Sequence, residues 1–164
     1  MAKAELDGID RQMLVELQQD GRLRAVDLAE RVGLSPTPCL RRLRQLEEDG
    51  VITGYAARLD PHKLDLDIVA YIEVNLDQRS EADTAAFREA VLAEPAIIEC
   101  YALTGAIDYL VKVAVRDLEE FSELTMRRIL RFPGVQSITS GLLLEVLKEH
   151  QGYPVRPSAE EGGK

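Results

Sequence analysis

The chain has 164 residues, 46% of them apolar, with 20 basic and 29 acidic side chains and a formal net charge of −9. That allows one domain or two small ones with cores of their own, and no run approaches the roughly 18 uncharged apolar residues that a membrane-spanning helix needs. An acidic balance argues against a nucleic-acid partner unless positive charge is gathered in one place. Between Arg22 and Arg44 it is: six arginines stand against only Asp27 and Glu30, whereas residues 61–164 hold 11 basic and 18 acidic residues. One short segment can therefore face phosphate while the remainder stays acidic. Cys39 and Cys100 lack metal-ligand spacing and are expected to be free thiols in a reducing cytosol. Met1–Asp7 contains no apolar core of an export signal, so a cytoplasmic protein is expected, without membrane, metal or cofactor.

In chain order, Ile9, Met13, Leu14 and Leu17 recur at helical spacing and predict a helix over Leu6–Gln19, stopped by Asp20-Gly21. A short helix follows over Ala25–Val32, with Val26, Leu28, Ala29 and Val32 apolar, and Gly33 ends it. Ser35 reads as the N-cap of a third helix, Pro36 suits its first position, Pro38 is tolerable in the first turn, and Asp49-Gly50 closes it. Val51–Leu59 reads as extended chain with a turn at Gly54. After Asp60-Pro61 the period changes. Ile68–Leu76 predicts a strand, Ser80–Ala93 a helix capped by Ser80, and Ala96–Thr104 a second strand. Gly105–Asp108 is a turn, Tyr109–Val115 a third strand, Asp117 to Leu130 a helix, and Gln136–Lys148 a last strand. The expected class is α+β: an N-terminal helix-turn-helix, winged-helix-like, and a C-terminal ferredoxin-like βαββαβ domain. The expected division is residues 1–60, a linker at 61–66, residues 67–150, and a flexible, Gly-, Pro- and Glu-rich tail at 151–164.

In a helix-turn-helix the second helix of the pair enters the major groove. On the third helix Cys39, Leu40, Leu43 and Leu46 share one side, and Thr37, Arg41, Arg44, Gln45 and Glu48 the other, with Arg42 lateral. An arginine fork can grip guanine O6 and N7 or clamp a phosphate. Thr37 can meet a thymine methyl or a phosphate. The competing reading makes Arg41, Arg42 and Arg44 a solvated face that pairs with Glu47, Glu48 and Asp49. In the turn at 105–108, Gly105 can take positive φ and bring backbone N–H groups to a ligand carboxylate. Asp108 can pair with a ligand ammonium, or simply bond nearby backbone.

The run Gly33-Leu34-Ser35-Pro36-Thr37-Pro38-Cys39-Leu40-Arg41-Arg42-Leu43-Arg44-Gln45-Leu46-Glu47 closely resembles the recognition helix of the Lrp/AsnC regulators. Leu6-Asp7-x-Ile9-Asp10, Asp20-Gly21-Arg22, Gly50-Val51-Ile52-x-Gly54-Tyr55, Gly105-x-x-Asp108-Tyr109 and Phe132-Pro133-Gly134-Val135 are similar to its other signatures. The likeness spans residues 6–148. It implies a transcriptional regulator of double-stranded DNA, contacted through Ser35, Pro36, Thr37, Pro38, Arg41, Arg42, Arg44 and Gln45. It also implies homodimers that assemble to octamers or larger rings, and an amino-acid effector at Leu103, Thr104, Gly105, Ala106 and Asp108. Leu142 would line the effector pocket if a neighbouring dimer delivers it. Two positions depart from the common pattern: Ala106 replaces an acidic residue, and Arg24 replaces a serine-like cap.

An enzyme is not expected. His62 and His150 have no cysteine or acid at ligand spacing, and no phosphate-loop or dinucleotide glycine pattern appears. Two other readings stay open: a ligand-independent DNA-packaging protein, and an amino-acid-binding regulator of an enzyme.

Overall fold

The computed structural model describes residues 5–77 and 81–156. The chain forms two compact units, one running to Arg58 and resuming at Lys148, the other Leu59–Leu147.

The first unit contains α1 (Gly8–Gln19), α2 (Ala25–Arg31) and α3 (Pro36–Glu48). Asp7 and Asp10 start α1 with a reciprocal capping box, each carboxylate accepting from the other's backbone N–H at 2.8 and 3.1 Å. Gly33, at φ +69°, closes α2, and the turn is sealed by the Leu34 N–H on the Ala29 carbonyl at 2.8 Å. Met13, Leu28, Ala29, Cys39 and Leu46 form the buried centre. Val51 and Ile52 both donate to the Leu46 carbonyl, so the chain tucks beneath the end of α3, and Gly54–Asp60 then runs without regular structure. Val26 and Leu40, expected on packing faces, are exposed.

The second unit contains β1 (Ile68–Leu76), α4 (Glu81–Ala93), β2 (Ile97–Ala102), β3 (Tyr109–Val115), α5 (Leu118–Glu123) and β4 (Val135–Leu142). The four strands form an antiparallel sheet in the order β2-β3-β1-β4. β1 alternates: Ala70, Ile72, Val74 and Leu76 are buried, while Tyr71 and Glu73 are exposed. The buried row packs with Phe87 and Val91 of α4 and with Leu124 and Ile129 after α5. Phe87 stacks obliquely on Tyr109, ring centroids 4.7 Å apart. Asp117 caps α5 through the Glu120 N–H at 2.8 Å. The expected cap Ser80 lies outside the described residues.

Three elements differ from expectation. The helix after Asp117 widens into a π-turn at Leu124–Arg128 and tightens at Ile129–Arg131, which accompanies the Arg128 guanidinium meeting both oxygens of the buried Glu94 at 2.9 and 3.0 Å. β4 ends at Leu142 rather than Lys148, because its partner β1 begins at Ile68 and offers one last bond, Leu143 N–H to the Val69 carbonyl. The expected flexible tail is fastened over its first part: Tyr153 and Arg156 bond to α1 side chains. Residues 157–164 lie outside the described residues.

Candidate DNA-binding and effector sites

α3 begins with Ser35 as N-cap, but the Ser35 hydroxyl makes no capping bond. Sequence explains this correction. The donors for such a bond are the N–H groups of the second and third helical residues, and the third is Pro38, which has none. Ser35 and Thr37 are therefore exposed at a helix start with no acidic residue in its first turn, an arrangement that suits phosphate.

Thr37, Arg41, Arg44 and Glu48 form one exposed stripe, flanked by Pro36 and Gln45, while Cys39 and Leu46 are buried on the opposite side. Pro38 is half-buried. Among the described residues Arg41 and Arg44 take no ion-pair partner. Of the three acidic residues thought able to neutralise them, Glu47 accepts from the Tyr55 hydroxyl at 3.0 Å and Asp49 from the Gln45 carboxamide at 2.9 Å, while Glu48 stands exposed on the stripe itself. Burial and the Glu47 carboxylate push the Tyr55 phenol up to about 12, so it stays a donor.

Arg42 is not on this stripe. Its guanidinium reaches the Asp7 and Asp10 carboxylates at 2.7 and 2.8 Å, binding α3 to the start of α1. The Asp10 N–H, with Arg42 beside it, holds the Asp7 carboxyl below its ordinary value. Arg42→Ala should therefore lower the thermal midpoint, by about 1–3 kcal/mol of stability, with the outer face of α3 intact. Calorimetry checks this, and an unchanged midpoint would show the clamp to be idle. A depressed carboxyl stabilises the fold above its unfolded value near 3.8 and stops doing so as pH falls through the lower folded value. The Asp7 contribution should thus hold from neutral pH to about 4 and fade below, modestly, because the Asp7 side chain is half exposed. Arg24, at the start of α2, forks onto Asp27 at 2.7 and 2.8 Å, filling the place of the missing cap with an ion pair.

In the second unit the β2–β3 hairpin is closed by the Leu103 N–H on the Asp108 carbonyl at 2.9 Å. Thr104, Gly105 and Ala106 are exposed at its tip, with Gly105 at φ +123°. The Asp108 carboxylate accepts the Leu76 N–H at 3.0 Å, and its own N–H donates to the Val74 carbonyl at 3.2 Å. Asp108 thus ties the turn to the end of β1. Leu142 pairs with Ala70, two strands away and toward the opposite end of β1, so it does not join the turn of its own chain.

Sequence reading missed one feature beside the turn. Phe87, Val91, Leu92, Cys100, Ala102 and Tyr109 line an open cavity of about 300 Å³ between α4 and β2–β3, with Arg88 also at its wall. Ala102 and Tyr109 are the last hairpin pair before the turn. No local pattern reports the cavity, since it needs α4 laid over an edge strand. Burial pushes the Cys39 and Cys100 thiols up, which leaves them protonated and poor nucleophiles.

Two family models match this chain: a winged helix-turn-helix DNA-binding domain over residues 6–53, and the Lrp/AsnC ligand-binding domain over residues 69–153. The chain belongs to the Lrp/AsnC family. It is a DNA-binding transcriptional regulator with a ligand-binding domain. It is 42% identical over 145 residues to the leucine-responsive regulatory protein of Escherichia coli, covering 88% of each chain. A transcriptional regulator from Neisseria meningitidis, solved as a complex with L-Met, superposes with a TM-score of 0.87 at 39% identity, over 92% of this chain and 97% of that one. An AsnC-family regulator from Agrobacterium tumefaciens matches with a TM-score of 0.84 at 34% identity, over 91% and 97%. The expected α+β class, a helix-turn-helix joined to a ferredoxin-like sheet domain, agrees with these matches.

Proposed function

We propose that this regulator binds duplex DNA through Ser35, Pro36, Thr37, Pro38, Arg41, Arg44 and Gln45, and that a small apolar amino acid controls its assembly and DNA affinity. It acts in the cytoplasm and is not an enzyme. The observation that carries the DNA contact is the pair of exposed arginines on α3, Arg41 and Arg44, which take no ion-pair partner among the described residues. Arg42 is left out of the contact set because two carboxylates hold it. The effector reading is supported by the Lrp/AsnC ligand-binding domain and by the L-Met complex of the Neisseria relative. The amino acid's charged groups meet Asp108 and the backbone of Thr104–Ala106, and its apolar side chain enters the cavity between α4 and the hairpin. Ala106, short and neutral, leaves room at the tip.

Thermal-shift measurements against the twenty amino acids test this, because a ligand that binds only the folded state raises the midpoint by mass action. An apolar amino acid such as L-methionine or L-leucine is expected to raise it and to change the affinity for DNA. Failure of all twenty would overturn the effector reading and favour the ligand-independent DNA-packaging alternative.

The smallest working unit is a homodimer, which assembles further to an octamer or larger ring. On the second face of the sheet Tyr71, Glu73 and Tyr101 are exposed and Lys112 is bound to Glu99 at 3.2 Å. Beyond β4, Leu144 and Leu147 are 95% and 89% exposed. Apolar surface of this kind calls for a partner, and a second copy is the one every chain meets. Light scattering at micromolar concentration should give a dimer or larger; the mass of a single chain would overturn it.

A further inference from the structure

The chain crosses between its two units twice, leaving the first at Arg58 and re-entering it at Lys148. The returning segment is seated by specific contacts. The Gln18 carboxamide grips the Tyr153 backbone from both sides, its Nε2 donating to the carbonyl at 3.1 Å and its Oε1 accepting from the N–H. Arg11 donates to the Arg156 carbonyl at 2.6 Å, and Arg58 donates to the His150 carbonyl. Gly152 lies against the same carboxamide at φ +105°, and a Cβ there would stand 2.6 Å from Gln18 Cδ. Any larger residue must push the carboxamide off Tyr153, so the fit requires glycine both for its backbone and for its size.

We propose that Glu149–Arg156 is a second tether, which Gln18 and Arg11 lock to α1, so that the helix-turn-helix is held by its covalent linker and by a second, hydrogen-bonded attachment instead of by the linker alone. A body on a single linker samples a wide range of separations, and a second connection narrows that range. The tether therefore makes the protein strict about the spacing of paired DNA half-sites. Gln18 and Gly152 are positioning residues in this scheme, since neither lies on the outer face of α3. The spacing effect rests on the dimeric DNA-binding reading above; the lock itself does not.

The test uses the full-length chain and a duplex that the wild type selects from a random pool, together with the same duplex carrying five extra base pairs, about half a helical turn, between its halves. Wild type should lose about tenfold or more in affinity on the insertion. Gln18→Ala and Gly152→Val should lose about threefold or less, with affinity for the parent duplex within about threefold of wild type. Gln18→Glu, which still accepts from the Tyr153 N–H, should restore part of the strictness. In hydrogen exchange the Tyr153 amide should be protected in wild type and fast in Gln18→Ala. The proposal is overturned if that amide exchanges equally fast in both, or if it is released in Gln18→Ala while the spacing dependence stays that of wild type. A wild type that selects no duplex would defeat the DNA-binding reading, and exchange at Tyr153 would still decide whether the lock exists.

Discussion

Arg41→Ala and Arg44→Ala together should weaken binding to the preferred duplex by about thirtyfold or more, the largest loss expected from any change on the surface of α3. Each arginine is worth about 1–3 kcal/mol if it reads a base edge, and even the lower figure for both gives about 2 kcal/mol, or roughly thirtyfold. Both side chains are exposed and without an ion-pair partner among the described residues, so removing them breaks nothing inside the protein, and the thermal midpoint should hold. Salt dependence separates the two roles an arginine can play. If Arg44 binds phosphate, Arg44→Ala weakens all sequences alike and shrinks the salt slope by about one. If it reads a base, the slope stays and discrimination at that base pair relaxes. Arg42→Ala is the internal control, expected to lose stability first. A double variant of Arg41 and Arg44 that binds as tightly as wild type would remove α3 as the reading helix.

What could be read from the sequence was local. β1 at Ile68–Leu76 and β3 at Tyr109–Val115 have the predicted limits, because β-branched and aromatic runs bounded by breakers mark a strand without help from elsewhere. What the sequence hid depends on partners far along the chain. Arg42 looked like one more charge on the flank of a helix, yet its carboxylates lie 32 and 35 residues away. The tail looked mobile by composition, yet Gln18 meets Tyr153 across 135 residues. Leu143–Leu147 reads as strand by residue type, but a strand needs a neighbour, and β1 supplies none beyond Val69. Ser35 is a different case: part of the information was present, since Pro38 at the third helical position removes one of the two donors that its hydroxyl could use.

The same distinction decides how Asp108 should be tested. Alanine at this position does two things at once, for it deletes a negative charge and it strips the Leu76 N–H of its acceptor. Loss of that acceptor alone should cost about 1–3 kcal/mol of stability, so a dead Asp108→Ala protein says little about a ligand. Asparagine separates the roles. Its carbonyl oxygen can still accept from Leu76, while the charge that would attract an ammonium is gone. A carboxylate oxygen offers more than one lone pair, so holding Leu76 and meeting a ligand are compatible. Asp108→Asn should therefore keep a midpoint within about 1 kcal/mol of wild type and bind DNA normally without ligand, because coupling acts only through a ligand that distinguishes two states. Its affinity for L-methionine or L-leucine should fall about tenfold or more, which corresponds to the roughly 1.5–3 kcal/mol of a hydrogen bond to a charged group. Titration calorimetry with the same amino acid on both proteins reads the difference directly. An Asp108→Asn protein that binds the amino acid with wild-type affinity and still responds on DNA would show that Asp108 serves the fold alone, joining the hairpin to β1, and that the effector's ammonium is held by other groups.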